Sequence, residues 1–178
     1  MKRFIVSSLA ITLMILAAYG AVVNWKINAS DAKVSFTIKN AGLNVEGKFS
    51  GLEGKINFDP ENPASGSIIA SVSAETIDTG INMRDKDLRT EHYLDVDKYP
   101  KISFVSSSIS KTSKGFSVTG KFTIKDVTKT VIIPFTFENQ TFKGSLTIDR
   151  MDYHVGKNSW IMGDEVNIVF EIPVSKAS

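Results

Sequence analysis

Apolar and polar residues alternate with a period of two along almost the whole chain after residue 24, and this restricts the fold more than any other property. Val34, Phe36 and Ile38 interleave with Lys33, Ser35, Thr37 and Lys39, and Phe116, Val118, Gly120, Phe122 and Ile124 interleave with Ser117, Thr119, Lys121, Thr123 and Lys125. Successive side chains of a strand point to opposite faces, so each run reads as a strand with one dry face and one wet face. Further runs of the same kind lie at Trp25 to Ile27, Val45 to Phe49, Leu52 to Phe58, Gly66 to Ile77, Ile102 to Ile109, Phe142 to Ile148 and Val166 to Ile172. Thr130 to Glu138 is apolar on both faces, and Pro134 within it predicts an edge or a bulge. The chain reads as all-β.

One stretch breaks the alternation. Met83 to Tyr93 is rich in charged helix-formers and predicts a short helix. Asn82 is placed to cap it, Asp85 and Asp87 fall in the first turn where carboxylates complement the helix dipole, and Asp85 with Arg89 form an i,i+4 pair. Pro100 marks the return to a strand. A lone charged helix inserted midway through a sheet is expected to cover one end of it.

Residues 1–20 read differently from the rest. Lys2 and Arg3 precede an uncharged run from Phe4 to Tyr19, and Ala18 and Gly20 supply the small residues that a signal peptidase reads. The run is about 16 residues, against the roughly 20 that a bilayer span needs, so a cleaved secretory signal is expected rather than a retained anchor. Cysteine is absent, which removes the acceptor of a lipoprotein anchor. The precursor carries 21 Lys+Arg against 19 Asp+Glu, and loss of Lys2 and Arg3 leaves the two signs balanced. A neutral domain offers no electrostatic reason to bind nucleic acid or an anionic membrane surface. Residues 21–178 suffice for one domain with a sizeable core, stabilised without disulfides.

Both a sandwich and a barrel accept this pattern. Gly42, Gly47, Gly51 and Gly54 fall within or beside strands, as bulges and bends do in a sheet that curls on itself. With phenylalanine recurring on the apolar faces, this favours a barrel of about eight strands, whose interior can be filled by side chains or hold one slender ligand. Alternation alone leaves both interiors open.

Several motifs occur together in order: Trp25 opening the first strand, Gly47-Lys-Phe49 before Gly54-Lys-Ile-Asn-Phe58, Met83-Arg-Asp-Lys-Asp-Leu88, Lys98-Tyr-Pro-Lys-Ile-Ser-Phe104, Gly120-Lys-Phe-Thr-Ile-Lys-Asp-Val-Thr-Lys129 and Ile148-Asp-Arg-Met-Asp-Tyr153. In these the chain resembles the YceI-like family of exported bacterial proteins. The resemblance implies a lipocalin-like antiparallel β-barrel, closed at one end by the helical segment and holding a long isoprenoid or similar lipid in its lumen. It also implies a periplasmic or secreted location. On that reading Phe36, Phe58, Phe122, Leu146 and Phe170, from separate strands, converge on the lipid. Arg84 with Asp85 and Asp149 with Arg150 are expected to form ion pairs that pin the helix and the last hairpin, with contact to a head group as a second role.

Reactive constellations are scarce. His92 and His154 have no second histidine or cysteine at metal-ligand spacing, and no nucleophile elbow or phosphate loop is present. Asp95, Asp97 and Asp152, near turns, read as backbone caps. No catalytic residue, metal or cofactor is assigned. Binding and carriage of an apolar chain is the leading expectation, beside a structural outer-membrane barrel and an enzyme acting on a lipid on the same scaffold.

Overall fold

The computed structural model describes residues 23–177; the expected signal, residues 1–20, lies outside them. Ten strands form one antiparallel sheet: β1 (Asn24–Ile27), β2 (Lys33–Asn40), β3 (Leu43–Phe49), β4 (Glu53–Asn57), β5 (Ser67–Ser73), β6 (Lys101–Thr112), β7 (Gly115–Ile124), β8 (Val127–Glu138), β9 (Thr141–Asp149) and β10 (Met162–Lys176). The one α-helix among the described residues, α1 (Asn82–Arg89), lies between β5 and β6. Ten segments build eight walls, because two strands are interrupted. β1 and β2 lie in line along β10, with Trp25 opposite Lys176 and Val34 opposite Phe170. β3 and β4 lie in line beside them, with Phe49 opposite Val34 and Ile56 opposite Trp25. The remaining strands follow in chain order, and the pairing of β1 with β10 closes a barrel with no free edge along that seam.

The glycines do different jobs from one another. Ala41 and Gly42, both at positive φ, form the two-residue turn of the β2–β3 hairpin, and Gly51, also at positive φ, falls in the interruption between β3 and β4. Gly47 is instead ordinary strand, where a Cβ would stand 2.3 Å from the Phe36 ring across the hairpin.

Pairing between β8 and β9 is short, running only from Phe135 opposite Gly144 to Glu138 opposite Thr141. Pro134, which has no N–H to donate, sits where it stops. Beyond that point the two strands separate towards the helical end. A 3₁₀ turn, Met151–Tyr153, packs against both of them there, with the Tyr153 ring edge-on to Phe122 at 5.8 Å.

Two apolar clusters fill the ends of the barrel. At one end Trp25, Phe58, Phe116, Phe135 and Phe142 form an aromatic base, in which the fully buried Phe58 meets four phenyl rings at 5.0–5.6 Å and the Trp25 indole donates to the Phe58 carbonyl. At the other end Ile77, Leu94 and Val96, from residues 74–100, pack against Ile124, Ile148 and Tyr153. That segment is a lid tied to the barrel by backbone hydrogen bonds. Lys48 and Asp78 exchange a pair and Gly156 N–H donates to His92 O, while Ala74 N–H donates to Pro100 O and joins the two ends of the lid itself.

The helix is shorter than expected and starts differently. Ile81 is its N-cap and makes no side-chain cap bond, while Asn82 is already helical. Asp85, almost fully buried, accepts from the backbone N–H and the hydroxyl of Thr79 and so ties the helix to the preceding loop. Arg89 turns away from Asp85 to donate to the carbonyls of Glu75 and Ile77.

Candidate functional site

Between the aromatic base and the lid the inward rows of the barrel do not meet. They enclose a cavity of about 270 Å³, elongated along the barrel axis from Val118, Ile133 and Phe135 near the base to Arg84, Leu88 and Leu94 under the lid. The wall is apolar because each strand turns its apolar row inward: Val34, Phe36 and Ile38 from β2, Ile68, Ala70 and Val72 from β5, and Val166, Ile168, Phe170 and Ile172 from β10. The wet rows face out, as the exposed cross-strand pair Lys143–Glu171 illustrates at 3.1 Å.

Glycine sets the width of this lumen. Phe36 lies over Gly47, Phe104 over Gly120 and Phe170 over Gly144, with the ring atoms 2.3–2.6 Å from where a Cβ would be. Each ring therefore lies against the backbone of the neighbouring strand instead of standing into the lumen.

Of the five residues expected to converge on a ligand, Phe36, Phe122, Leu146 and Phe170 line the cavity. Phe58 does not: it is the centre of the aromatic base. Its strand face was legible from alternation, but alternation carries no information about height along the barrel axis.

Neither expected ion pair forms. Adjacent residues on a helix do not face each other, and Arg84 donates through Nε to the Thr79 hydroxyl at 2.8 Å and through Nη2 to the Thr79 carbonyl at 2.9 Å. The same hydroxyl donates to Asp85, so Thr79 links the two charges. Adjacent residues at a strand end likewise diverge. Asp149 accepts from the N–H of Met151, the first residue of the 3₁₀ turn, while Arg150 pairs with Asp164 across the β9–β10 connection at 2.8 Å. Arg150, 2% exposed, also donates to the carbonyls of Val155 and Gly163. Both arginines border the lid end of the cavity. Arg150 is committed to the protein by these bonds, whereas Arg84 has neutral partners only among the described residues.

Thr79, Tyr93 and Met162 also line this end. Tyr93 and Met162 adjoin a second, more open depression with Asn40, Asp87, His92 and Ile161. They escaped the sequence reading because Thr79 and Tyr93 lie outside strands, where no periodicity marks an inward side chain, and Met162 precedes a register shift that breaks the alternation of β10. His154 stands on the outside, 3.7 Å from Asp126. Burial, and after it the charge of Asp152, pushes the Tyr153 phenol above its ordinary value of 10.0.

An eight-stranded antiparallel barrel with its apolar rows turned to a lumen between two packed ends defines the lipocalin-like class. The model of the YceI-like domain matches residues 25–174, and the chain belongs to that family. Among its relatives, the UPF0312 protein plu2095 of Photorhabdus laumondii is 31% identical over 136 residues, covering 75% of this chain and 71% of that one. BcnA of Burkholderia cenocepacia superimposes with a TM-score of 0.79 at 32% identity, over 84% of this chain and 99% of that one. A polyisoprenoid-binding domain from Saccharophagus degradans shares the fold, with a TM-score of 0.65 at 11% identity, over 88% of this chain and 99% of that domain.

Proposed function

We propose that the protein binds one slender apolar chain, isoprenoid or acyl, in the barrel lumen and carries it outside the cytoplasm, in the periplasm or as a secreted protein. The observation that supports this most is the elongated apolar cavity between two packed ends. Burying one five-carbon isoprene unit is worth on the order of 4 kcal/mol at ~0.8 kcal/mol per carbon group. Association costs roughly 4–15 kcal/mol, so a chain of several units is the guest that apolar contact alone would hold. The polyisoprenoid-binding description of the Saccharophagus domain agrees with this class of guest. Arg84, at the lid end and without a carboxylate partner among the described residues, suits a polar or anionic head group. The signal-like composition of residues 1–20 supports export.

A barrel that spans a membrane faces its apolar rows outward to lipid. Here those rows line the lumen and charged pairs such as Lys143–Glu171 face outward, which favours a carrier over a structural outer-membrane barrel. Binding rather than catalysis is the reading that a lumen lined almost wholly by hydrocarbon supports.

The test compares two phenylalanines. Phe58→Ala removes the centre of a packed base and should cost about 3–5 kcal/mol. Phe122→Ala removes part of a cavity wall, so it should cost clearly less while weakening uptake of a fluorescent prenyl or acyl probe. In the same assay Arg84→Ala should abolish any preference for a probe with a carboxylate head over its alcohol. Equal costs for the two phenylalanines, with no probe uptake by the unmutated protein, would rule out the carrier reading.

A further inference from the structure

Nine large apolar side chains stand exposed on the described residues, and five of them, Leu43, Ile81, Met83, Trp160 and Ile161, belong to the lid end. The other four, Ile69, Val105, Ile132 and Val169, lie on the barrel walls. Leu43 continues the inward row of Val45, Gly47 and Phe49, but it lies past the end of the wall and is 72% exposed. Trp160 is 95% exposed and Met83 is 81% exposed. Ala41, in the β2–β3 turn, donates its N–H to Ile161 O at 2.8 Å, so the hairpin tip and the 157–161 loop lie side by side. Met83 is one helical turn before Asp87, which lines the outer depression together with Asn40 and Ile161. These apolar groups, carried by the start of β3, the start of α1 and the loop before β10, form a collar at the lid end.

The collar is continuous with the lumen, because Asn40, Tyr93 and Met162 line both the outer depression and the deep cavity. The outer depression is lined by one acidic and one basic residue, Asp87 and Lys157, and so carries no run of like charge. β3 ends the strand order, with the Lys48–Asp78 bridge its one further pairing among the described residues, so a peptide added there by backbone hydrogen bonds would not engage Met83 or Trp160 on the other segments. The described chain enters at Val23, whose carbonyl accepts from Phe58 at the aromatic base, the opposite end of the barrel. Protruding Leu, Met, Ile and Trp side chains around an opening are suited to the interfacial zone of a bilayer.

We infer that this collar docks on a phospholipid leaflet, inserting Leu43, Met83 and Trp160 so that the mouth of the lumen meets acyl chains directly. This extends the lipid-binding reading of the lumen and rests on it. A guest would then pass between membrane and barrel without crossing water.

The test uses protein lacking residues 1–20, since every strand of the barrel lies after them and their own apolar run would partition into lipid. With phosphatidylethanolamine–phosphatidylglycerol vesicles the protein should co-float. Trp160 emission should shift to the blue and be quenched by brominated acyl chains, while the buried Trp25 gives a constant background. The combined Leu43→Ser, Met83→Ser and Trp160→Ser variant should bind vesicles at least tenfold more weakly, with thermal stability and uptake of a water-delivered acyl probe unchanged. Absence of co-flotation, undiminished binding by the variant, or a collar that instead drives concentration-dependent dimerisation and shields Trp160 from lipid would overturn the inference. Flotation without probe uptake would remove the lumen reading and leave the docking surface standing, whereas uptake without flotation would remove the docking surface alone.

Discussion

Arg150 anchors the loop that follows β9 by serving several acceptors from one buried guanidinium. Arg150→Met would fill much of its volume but strand the Val155 and Gly163 carbonyls, each worth roughly 1–3 kcal/mol when it loses a buried partner. Asp164 is 44% exposed and would return to water, so the expected loss is on the order of 3 kcal/mol, measured by denaturant unfolding. Gly47 makes an opposite case, because there the space matters rather than the bonds. In Gly47→Ala the new methyl would meet the far end of the Phe36 ring, which can yield only into the lumen. A cost of about 1–3 kcal/mol is expected, together with weaker probe uptake from the narrowed cavity. Neither role was legible from the residues themselves. Arg150 stands beside Asp149 in sequence but across from Asp164 in space, and Gly47 read as a bend because its phenylalanine neighbour lies on another strand.

The lid and the gap between β8 and β9 are the elements that depart most from regular barrel structure. Pro134 and the charged stretch from Met83 marked both places in the sequence, but what fills them came from turns that no periodicity describes. Tyr153 closes the gap at the helical end, buried behind Lys129, whose amine lies 5.9 Å above its ring and 2.7 Å from Asp152. Because the folded state holds the phenol neutral above its ordinary value of 10.0, its contribution is fully present below that pH. Above it the unfolded chain loses the proton first, and the contribution disappears as pH rises through the raised value. The melting temperature should therefore fall on alkaline titration beyond about pH 10, and Tyr153→Phe should flatten part of that fall. An identical alkaline slope in the variant would assign it to other groups.

At the scale of the molecule, the eight-walled barrel follows from alternation to a large degree. Inward rows such as Phe36–Ile38 and Val166–Ile172 were readable as one face, and a closed sheet leaves that face a single place to go. The division of the interior into packed base and open lumen was not readable, because Phe58 and Phe122 have the same pattern of neighbours and differ only in how far along the axis they sit. The in-line breaks between β1 and β2 and between β3 and β4 were likewise hidden, since a polar turn such as Asn28–Ala32 looks the same whether the chain reverses or continues. Closure has a mechanical consequence. Asn24 and Ala177 meet at the aromatic base, where Ala177 N–H donates to the Asn24 carbonyl, and β1 runs antiparallel to β10 as its direct neighbour. A load applied between these two points would peel the closing seam one hydrogen bond at a time, like a zip, and never shear the rungs together. The barrel's resistance to heat and its resistance to pulling are therefore separate properties, the first carried by the packed interior and the second by the few rungs between Trp25 and Ile27.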